Sequence, residues 1–416
     1  MTRIAIVGAG SAGCLTALAL SKSESNSIDC YFNDSIPPIG VGEATTNYVQ
    51  SFLDRHGINK KTILNSINGS LKLGLLFENF FSQNHSFIHP FGDNKDISGE
   101  IEYMIMNDKI PNDILQYDTI ATHFDTNVLS RYIVSKISKK SNVKIINKLF
   151  DIDQSCDYDV VVDCTGFRRH VFTKIIDDNY VDMSHVIPNN QALIYRSKYT
   201  NIDQHKPYTK CTGMSHGWIW NIPLGNRISH GYVHSDQYDV TQEFINYITK
   251  IHKSCNESEI SKIPFKTGRN KIHITTHKST LFVAIGLSSC FIEPLESTGL
   301  HFVVENIELL ERFLAGDINQ EQFNSIINTS YDSVVNFVVA HYKYTSRKGK
   351  YWRQYTNHQL SDYQHTDVFP VISWDYILRG MGQPHGDIIQ QPNLSILKKH
   401  INNMSYQLWN KNEKDS

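Results

Sequence analysis

No stretch of this 416-residue chain approaches the ~18 consecutive apolar residues that a membrane-spanning helix needs. It contains no C-x-x-C, no H-E-x-x-H, no internal repeat and no low-complexity tract. Charge of one sign is also lacking, because 40 Lys and Arg against 42 Asp and Glu leave a net charge of -2. These absences argue against a helical membrane protein, a dithiol redox centre and a zinc-protease site. His85 and His89 are the nearest approach to a ligand pair, and no metal is expected. Balanced charge removes the global electrostatic case for nucleic acid or an anionic membrane as partner. Seven cysteines (Cys14, Cys30, Cys156, Cys164, Cys211, Cys255 and Cys290) are odd in number and scattered, the pattern of reduced thiols. A strand already under way at residue 4 leaves no room for a signal peptide, so the expectation is a cytoplasmic protein.

What is present begins with Arg3-Ile4-Ala5-Ile6-Val7, an apolar strand running into GAGSAG at 8–13. Gly8, Gly10 and Gly13, with Ser11 and Ala12 between them, form G-x-G-x-x-G, and Leu15, Leu18 and Ala19 follow on one helical face. The first glycine permits a tight turn, the second lets a pyrophosphate approach the backbone, and the third lets helix and strand pack closely. Strand before and helix after are the context this motif requires, so a dinucleotide is expected. The acid that would hold a ribose should lie near residue 32, where the strand Ile28–Phe32 instead places Phe32, with Asp34 two residues on. Gly40, Val41, Gly42, Glu43, Ala44 and Thr45 make a glycine-loosened loop suited to wrapping a ligand before a helix over Tyr48–Phe52. A helix is expected over Thr126–Lys136 and a strand over Val143–Asn147. Asp159 to Gly166 read as a buried strand ending in D-x-T-G.

In SLKLGLLF at 70–77, Lys72 interrupts an apolar run. Strand alternation puts Lys72, Gly74 and Leu76 on one face, with Leu71, Leu73, Leu75 and Phe77 on the other. The plain alternative is a solvated lysine; the functional one points its amine into a cavity. Residues 187–235 read as sheet, in which Trp218 and Trp220, two apart, share a face. A final apolar strand, Leu281–Ile285, closes at Gly286 and leads into SSCFIEPLESTGL at 288–300. Ser297 and Thr298 stand where a helix N-cap belongs, and Gly299 leaves the backbone open. Val303, Ile307, Leu310 and Leu314 continue as a helix ending at Gly316. Its start is a seat for an anion, with the carboxylate of Glu296 beside it.

Taken in order, GAGSAG, GVGEAT at 40–45, Lys72 in NGSLKLGLLF, HPFG at 89–92, DCTGFR at 163–168, GWIWNIP at 217–223, GRN at 268–270 and SSCFIEPLESTG at 288–299 resemble the flavin-dependent halogenases of the tryptophan-halogenase type. The resemblance covers roughly residues 3–352. It implies an α/β fold with a Rossmann-like FAD-binding core of the glutathione-reductase/hydroxybenzoate-hydroxylase type, a mixed substrate-side sheet and a mostly helical C-terminal part. An FAD-binding module over 1–320, with the substrate-side sheet interleaved, and a shortened helical subdomain over 321–416 are expected. Gly8, Gly10, Ser11, Ala12, Gly13, Gly40, Val41, Gly42, Glu43, Ala44, Thr45, Asp163, Gly166, Gly286 and Leu295 are implied contacts of FAD.

By the same resemblance, reduced FAD and oxygen oxidise a halide (chloride, bromide or iodide) held by the backbone of Thr298 and Gly299. The resulting hypohalous acid passes through a tunnel bordered by His89, Pro90, Phe91, Trp218, Trp220, Ile222 and Pro223. It reaches Lys72, which hydrogen-bonds it as an ammonium or forms a haloamine as a free amine. Glu296 positions the halogenating species and takes up the proton lost from the arene. The implied partners are a small electron-rich aromatic, indole-like, and a separate flavin reductase, since no second dinucleotide fingerprint is present. Nothing decides between monomer and homo-oligomer. The region after Trp352 and the stretch from Gly92 to His123 are shorter than in enzymes acting on free tryptophan. A more open pocket is therefore expected, and free tryptophan is doubted as the natural substrate. A flavin monooxygenase and a non-enzymatic flavin-binding protein are the alternatives.

Overall fold

The N-terminal strand, Thr2–Val7, lies inside a six-stranded sheet whose order is Ile274–His277, Thr280–Ala284, Val160–Asp163, Thr2–Val7, Asn26–Tyr31, Val143–Ile146. A computed structural model describes residues 1–33, 43–92, 94–360 and 368–383 of the chain. Every pairing in this sheet is parallel except the outer hairpin of Ile274–His277 with Thr280–Ala284. Runs such as Val160-Val161-Val162 and Leu281-Phe282-Val283-Ala284 are buried throughout, as a parallel sheet covered on both faces demands. On one face the helices Ser11–Leu20, Thr126–Ile137 and Gly299–Leu314 contribute Leu15, Leu129, Ile133, Val303 and Ile307 to a single core. Phe32 is buried in that same core, which explains why an apolar residue fills the slot where an acid was sought. Asp34, Gly40, Val41, Gly42 and Trp409 lie outside the described residues.

A second, seven-stranded sheet runs Ser261–Pro264, Gln191–Ser197, Ile228–His234, Gly217–Pro223, Thr209–Met214, Gly74–Glu78, Ser86–Pro90. It is antiparallel apart from the parallel pairing of Thr209–Met214 with Gly74–Glu78. Trp218 and Trp220 share one buried core, as their spacing requires. The Trp220 indole lies over the strand opposite, at Gly231. A Cβ there would fall 2.0 Å from the ring. Gly231→Val should therefore displace Trp220 and cost about 1–3 kcal/mol or more, read as a lower denaturation midpoint.

Continuous alternation along 70–77 is not what forms. The run is cut at Leu73 into Ser70–Lys72, in a small sheet with Glu43–Ala44 and Ala121–Phe124, and Gly74–Glu78, in the seven-stranded sheet. Leu73 donates its N–H to the Pro207 carbonyl and accepts from the Phe91 N–H, each at 2.8 Å, outside either ladder. A break of this kind exchanges the faces. Leu71 and Leu73 share a core with Ile101 and Ile114, and Leu76 packs against it. Leu75 and Phe77 join Phe91, over whose ring the Lys72 amine sits.

The C-terminal helix Gln320–Lys343 opens with a capping box between Asn319 and Gln322. Asn324 Oδ1 accepts from the backbone N–H groups of His273 and Ile274, beside the first sheet. Further along, Val334, Phe337 and Val338 enter the core that contains both tryptophans. Helix Val371–Gly380 then packs on Ser86–Pro90 and on the long helix. Among the described residues no helix is long and apolar enough to cross a membrane, and no three His, Cys, Asp or Glu converge on a metal position. All seven thiols are free.

Candidate active site

The dinucleotide motif folds as its glycines dictate. Gly13 packs so closely that a Cβ would lie 1.9 Å from the Gly8 carbonyl oxygen. By contrast, Gly10, Gly166 and Gly299 face open space where a Cβ would stand. All three gather about the turn Gly286–Ser288. Ala12 Cβ and Val303 Cγ2 approach the missing Cβ of Gly286 at 2.9 and 3.1 Å, and Ser288 Oγ donates to the Gly166 carbonyl at 3.2 Å. Two helix N-termini, at Ser11 and Gly299, open beside this clear region, and neither has a side chain capping its first N–H groups. The residues present therefore fit a pyrophosphate-bearing cofactor such as FAD. Asp163 was expected to touch it. Its carboxylate is instead filled by Thr165 N and Oγ1, Ser288 Oγ, and the N–H groups of Val171 and Phe172, at 2.6–3.1 Å. Asp163 fixes the loops that shape the site. Leu295 is buried in the core that holds the tryptophans.

The small three-stranded sheet brings the loop after residue 42 to the lysine. Glu43–Ala44 and Ser70–Lys72 pair with opposite edges of Ala121–Phe124. Thr45 Oγ1 donates to the Thr122 carbonyl, which turns the Thr45 carbonyl toward Lys72. Lys72 is 0 % exposed, and its Nζ donates to Thr45 O and to Ser297 Oγ, both at 2.8 Å. The Phe91 ring lies 4.6 Å from the amine. Burial pulls the ammonium down to about 7, against the opposing charge of Glu296. The amine is thus enclosed, not solvated.

Glu296 is likewise fully buried. His89 Nδ1 donates to its Oε2 at 2.8 Å and His341 Nε2 to its Oε1 at 2.9 Å. Burial opposes its charge, but the two imidazoles hold the carboxyl down to about 2. His341 Nδ1 also lies 2.8 Å from the Phe337 carbonyl oxygen, so both ring nitrogens face an oxygen. His89 Nε2 is buried with no partner. Glu296 and Ser297 are both left-handed, with φ of 66° and 63°, a conformation that L side chains adopt at a cost. That turn points Ser297 Oγ at Lys72 and the carboxylate at the histidines. Ser297 consequently caps no helix. Thr298 takes the N-cap position without a side-chain cap, and its Oγ1 is buried and unpartnered beside open Gly299.

Of the residues expected along the passage, His89 and Phe91 contact the carboxylate and the amine respectively, and Pro90 stands opposite Gly74 in the sheet. Ile222 shares the core with Trp218 and Trp220, and the Pro223 carbonyl accepts from Ser70 Oγ. Helix Val371–Gly380 closes the acid end. Phe369 stacks on Phe337 at 3.8 Å between centroids, with Trp374 edge-on at 4.9 Å. The more open pocket expected from the shortened C-terminal region is not found at the lysine–glutamate pair, because these aromatics cover it. Sequence reasoning missed His341, Ser297 as the lysine's acceptor, and a second buried acid. Glu293 accepts from Asn189 Nδ2 at 2.5 Å and from Tyr342, and burial raises its carboxyl to about 7. The spacing from Glu293 to Glu296 offered a signal for the last, but nothing near 341 did for the first.

Residues 3–128 and 131–384 match the tryptophan halogenase family, and the chain belongs to it. It is a flavin-dependent halogenase by class, an enzyme using FAD and a halide. It is 26% identical over 426 residues to tryptophan 6-halogenase ThaL of Streptomyces albogriseolus, covering 86% of this chain and 80% of that protein. Identity and coverage are the same for tryptophan 7-halogenase RebH of Lentzea aerocolonigenes. The crystal structure of tryptophan 6-halogenase SttH from Streptomyces toxytricini superposes with a TM-score of 0.82 at 24% identity, covering 95% of this chain and 93% of that one. The shared fold is the FAD-binding α/β architecture with a helical C-terminal part expected from the sequence.

Proposed function

We propose that this enzyme halogenates an electron-rich, indole-like aromatic ring with hypohalous acid that Lys72 receives and Glu296 directs. The observation that carries the reading is the enclosure of that amine and that carboxylate in neighbouring positions, joined through Ser297 and free of bulk water. FAD, reduced by a separate reductase and held around Gly10, Gly166 and Gly286, supplies with oxygen the oxidising power for the halide. Thr298 Oγ1 and the open backbone at Gly299 bind that halide, since a buried hydroxyl without a partner and free N–H groups at a helix start both favour an anion. Trp218 and Trp220 keep the aromatic substrate from the flavin side. Lys72 orients the oxidant by hydrogen bonding from its ammonium, which keeps a third proton after Thr45 and Ser297 take two. Glu296, charged at neutral pH, steadies the developing positive charge on the ring and accepts its proton. The apolar walls of Phe91, Phe337 and Phe369 suit a flat ring.

The test incubates the enzyme with FAD, a reductase, NADH and each halide against a panel of indoles and phenols, read by mass spectrometry. Halogenated product dependent on both halide and Lys72 is expected. Oxygenated product indifferent to halide would leave a monooxygenase. Thr298→Val should raise the halide concentration for half-maximal rate by about tenfold, the value of one net hydrogen bond to a charged group, while leaving FAD binding unchanged.

A further inference from the structure

Away from the flavin and the lysine, three side chains from three different elements meet on the outer side of the seven-stranded sheet. His230 comes from strand Ile228–His234, Ser197 from the end of Gln191–Ser197, and His252 from the last turn of helix Thr241–His252. His230 Nε2 and His252 Nε2 are 3.0 Å apart, and Ser197 Oγ is 3.1 Å from each. Those three atoms form a near-equilateral triangle. The edge of an octahedral face with metal–ligand bonds of about 2.1 Å is about 3.0 Å, so one cation above this triangle would bond all three at ordinary length.

The surroundings prepare the imidazoles for that role. Asn221 Nδ2 donates to the Tyr247 hydroxyl, which leaves Oδ1 facing His230 Nδ1 as the acceptor. His230 therefore carries its proton on Nδ1 and keeps the Nε2 lone pair directed into the triangle. Such an outer partner, fixing tautomer and ring orientation, is what metal-bound histidines have. His252 Nδ1 has no partner, so its proton can reside there and free Nε2 as well. His230 is buried whereas His252 is only partly so, which leaves a route from solvent. The competing arrangement is a closed ring of hydrogen bonds. It must serve three mutually close polar atoms with two protons, whereas a cation serves all three lone pairs at once.

We propose that His230, His252 and Ser197 form a binding site for one divalent first-row transition-metal ion, with water completing its shell. The ion would tie the end of helix Thr241–His252 to the sheet, next to the strand that bears Trp218 and Trp220.

Calorimetric titration of chelator-treated full-length protein with Zn²⁺ tests this. One equivalent should bind in the micromolar range, binding should vanish in His252→Ala, and Ser197→Ala should weaken it several-fold. Saturating Zn²⁺ should raise the melting temperature of the parent protein by several degrees and leave that of His252→Ala unmoved. Binding of equal strength in His252→Ala, or no saturable binding to the parent, overturns the proposal. Should His252→Ala not fold, Ser197→Ala decides alone, and unaltered affinity there counts against the site.

Discussion

Lys72→Ala should reduce halogenated product to background while oxygen continues to consume reduced FAD at the parent rate. The region proposed to hold the flavin, around Gly10, Gly166 and Gly286, makes no contact with Lys72, whose partners are Thr45, Ser297 and Phe91, so cofactor turnover has no reason to fall. What is lost is the enclosed amine proposed to receive the oxidant. Hydrogen peroxide and unspent hypohalous acid should accumulate in place of product, measured with a peroxide assay and a thiol scavenger. Folding offers an internal control. Burial holds the amine's pKa near 7, below its value in the unfolded chain. Between about pH 7 and 10.4 the unfolded chain therefore binds the extra proton, and this group's penalty on stability is lifted as pH rises through that window. Removing the amine should flatten that part of the pH–stability curve. A variant that simply unfolded would fail both measurements.

The second large effect is expected at a residue outside the resemblance motifs. His341→Ala removes one of two imidazoles on a carboxylate that is 0 % exposed. Breaking one arm of a buried, hydrogen-bonded charge costs about 3–5 kcal/mol, because the remaining charge is left under-compensated. The pH dependence should change with it. Glu296 has a folded pKa lowered to about 2, so the stability it contributes is present above its unfolded value and is lost as pH falls toward 2. In His341→Ala that loss should move to higher pH, followed by urea unfolding across pH 3 to 6. Product formation should drop about a hundredfold if Glu296 is the base proposed above, because it loses its orientation. His341→Gln, whose amide can still donate to Oε1, should recover a good part of both. Full stability in the alanine variant would mean that His89 alone suffices.

Local chemistry explains which parts of this molecule could be read in advance. The parallel sheet was legible because its strands are continuous apolar runs and because GAGSAG follows the first of them. Lys72 and Glu296 drew notice because each departs from the apolar pattern around it, and the structure encloses both. Legibility failed where long-range geometry overrides local pattern. The break at Leu73 depends on the carbonyl of Pro207 and the N–H of Phe91, both distant along the chain, so the strand looked unbroken. Asp163 looked like a ligand contact because strand ends often are, yet five donors within the chain fill it. His341 sits in a 24-residue helix whose apolar spacing marks it only as inward-facing. Its partnership with Glu296 arises from how that helix lies across the second sheet. The closure of the acid end by Phe369 and Trp374 was missed for a related reason: chain length was taken as pocket openness, and a single short helix suffices as a cover.

Two successive residues, Glu296 and Ser297, occupy backbone territory that glycine and asparagine enter more readily. Conformations of this kind cost roughly 1–3 kcal/mol each. Directed evolution scored on heat resistance alone would consequently drift toward Gly or Asn at 297, losing the hydroxyl to which Lys72 Nζ donates, whereas at 296 the hydrogen bonds from His89 and His341 oppose the same change. Any thermostabilisation campaign on this scaffold should therefore hold 297 fixed from the first round.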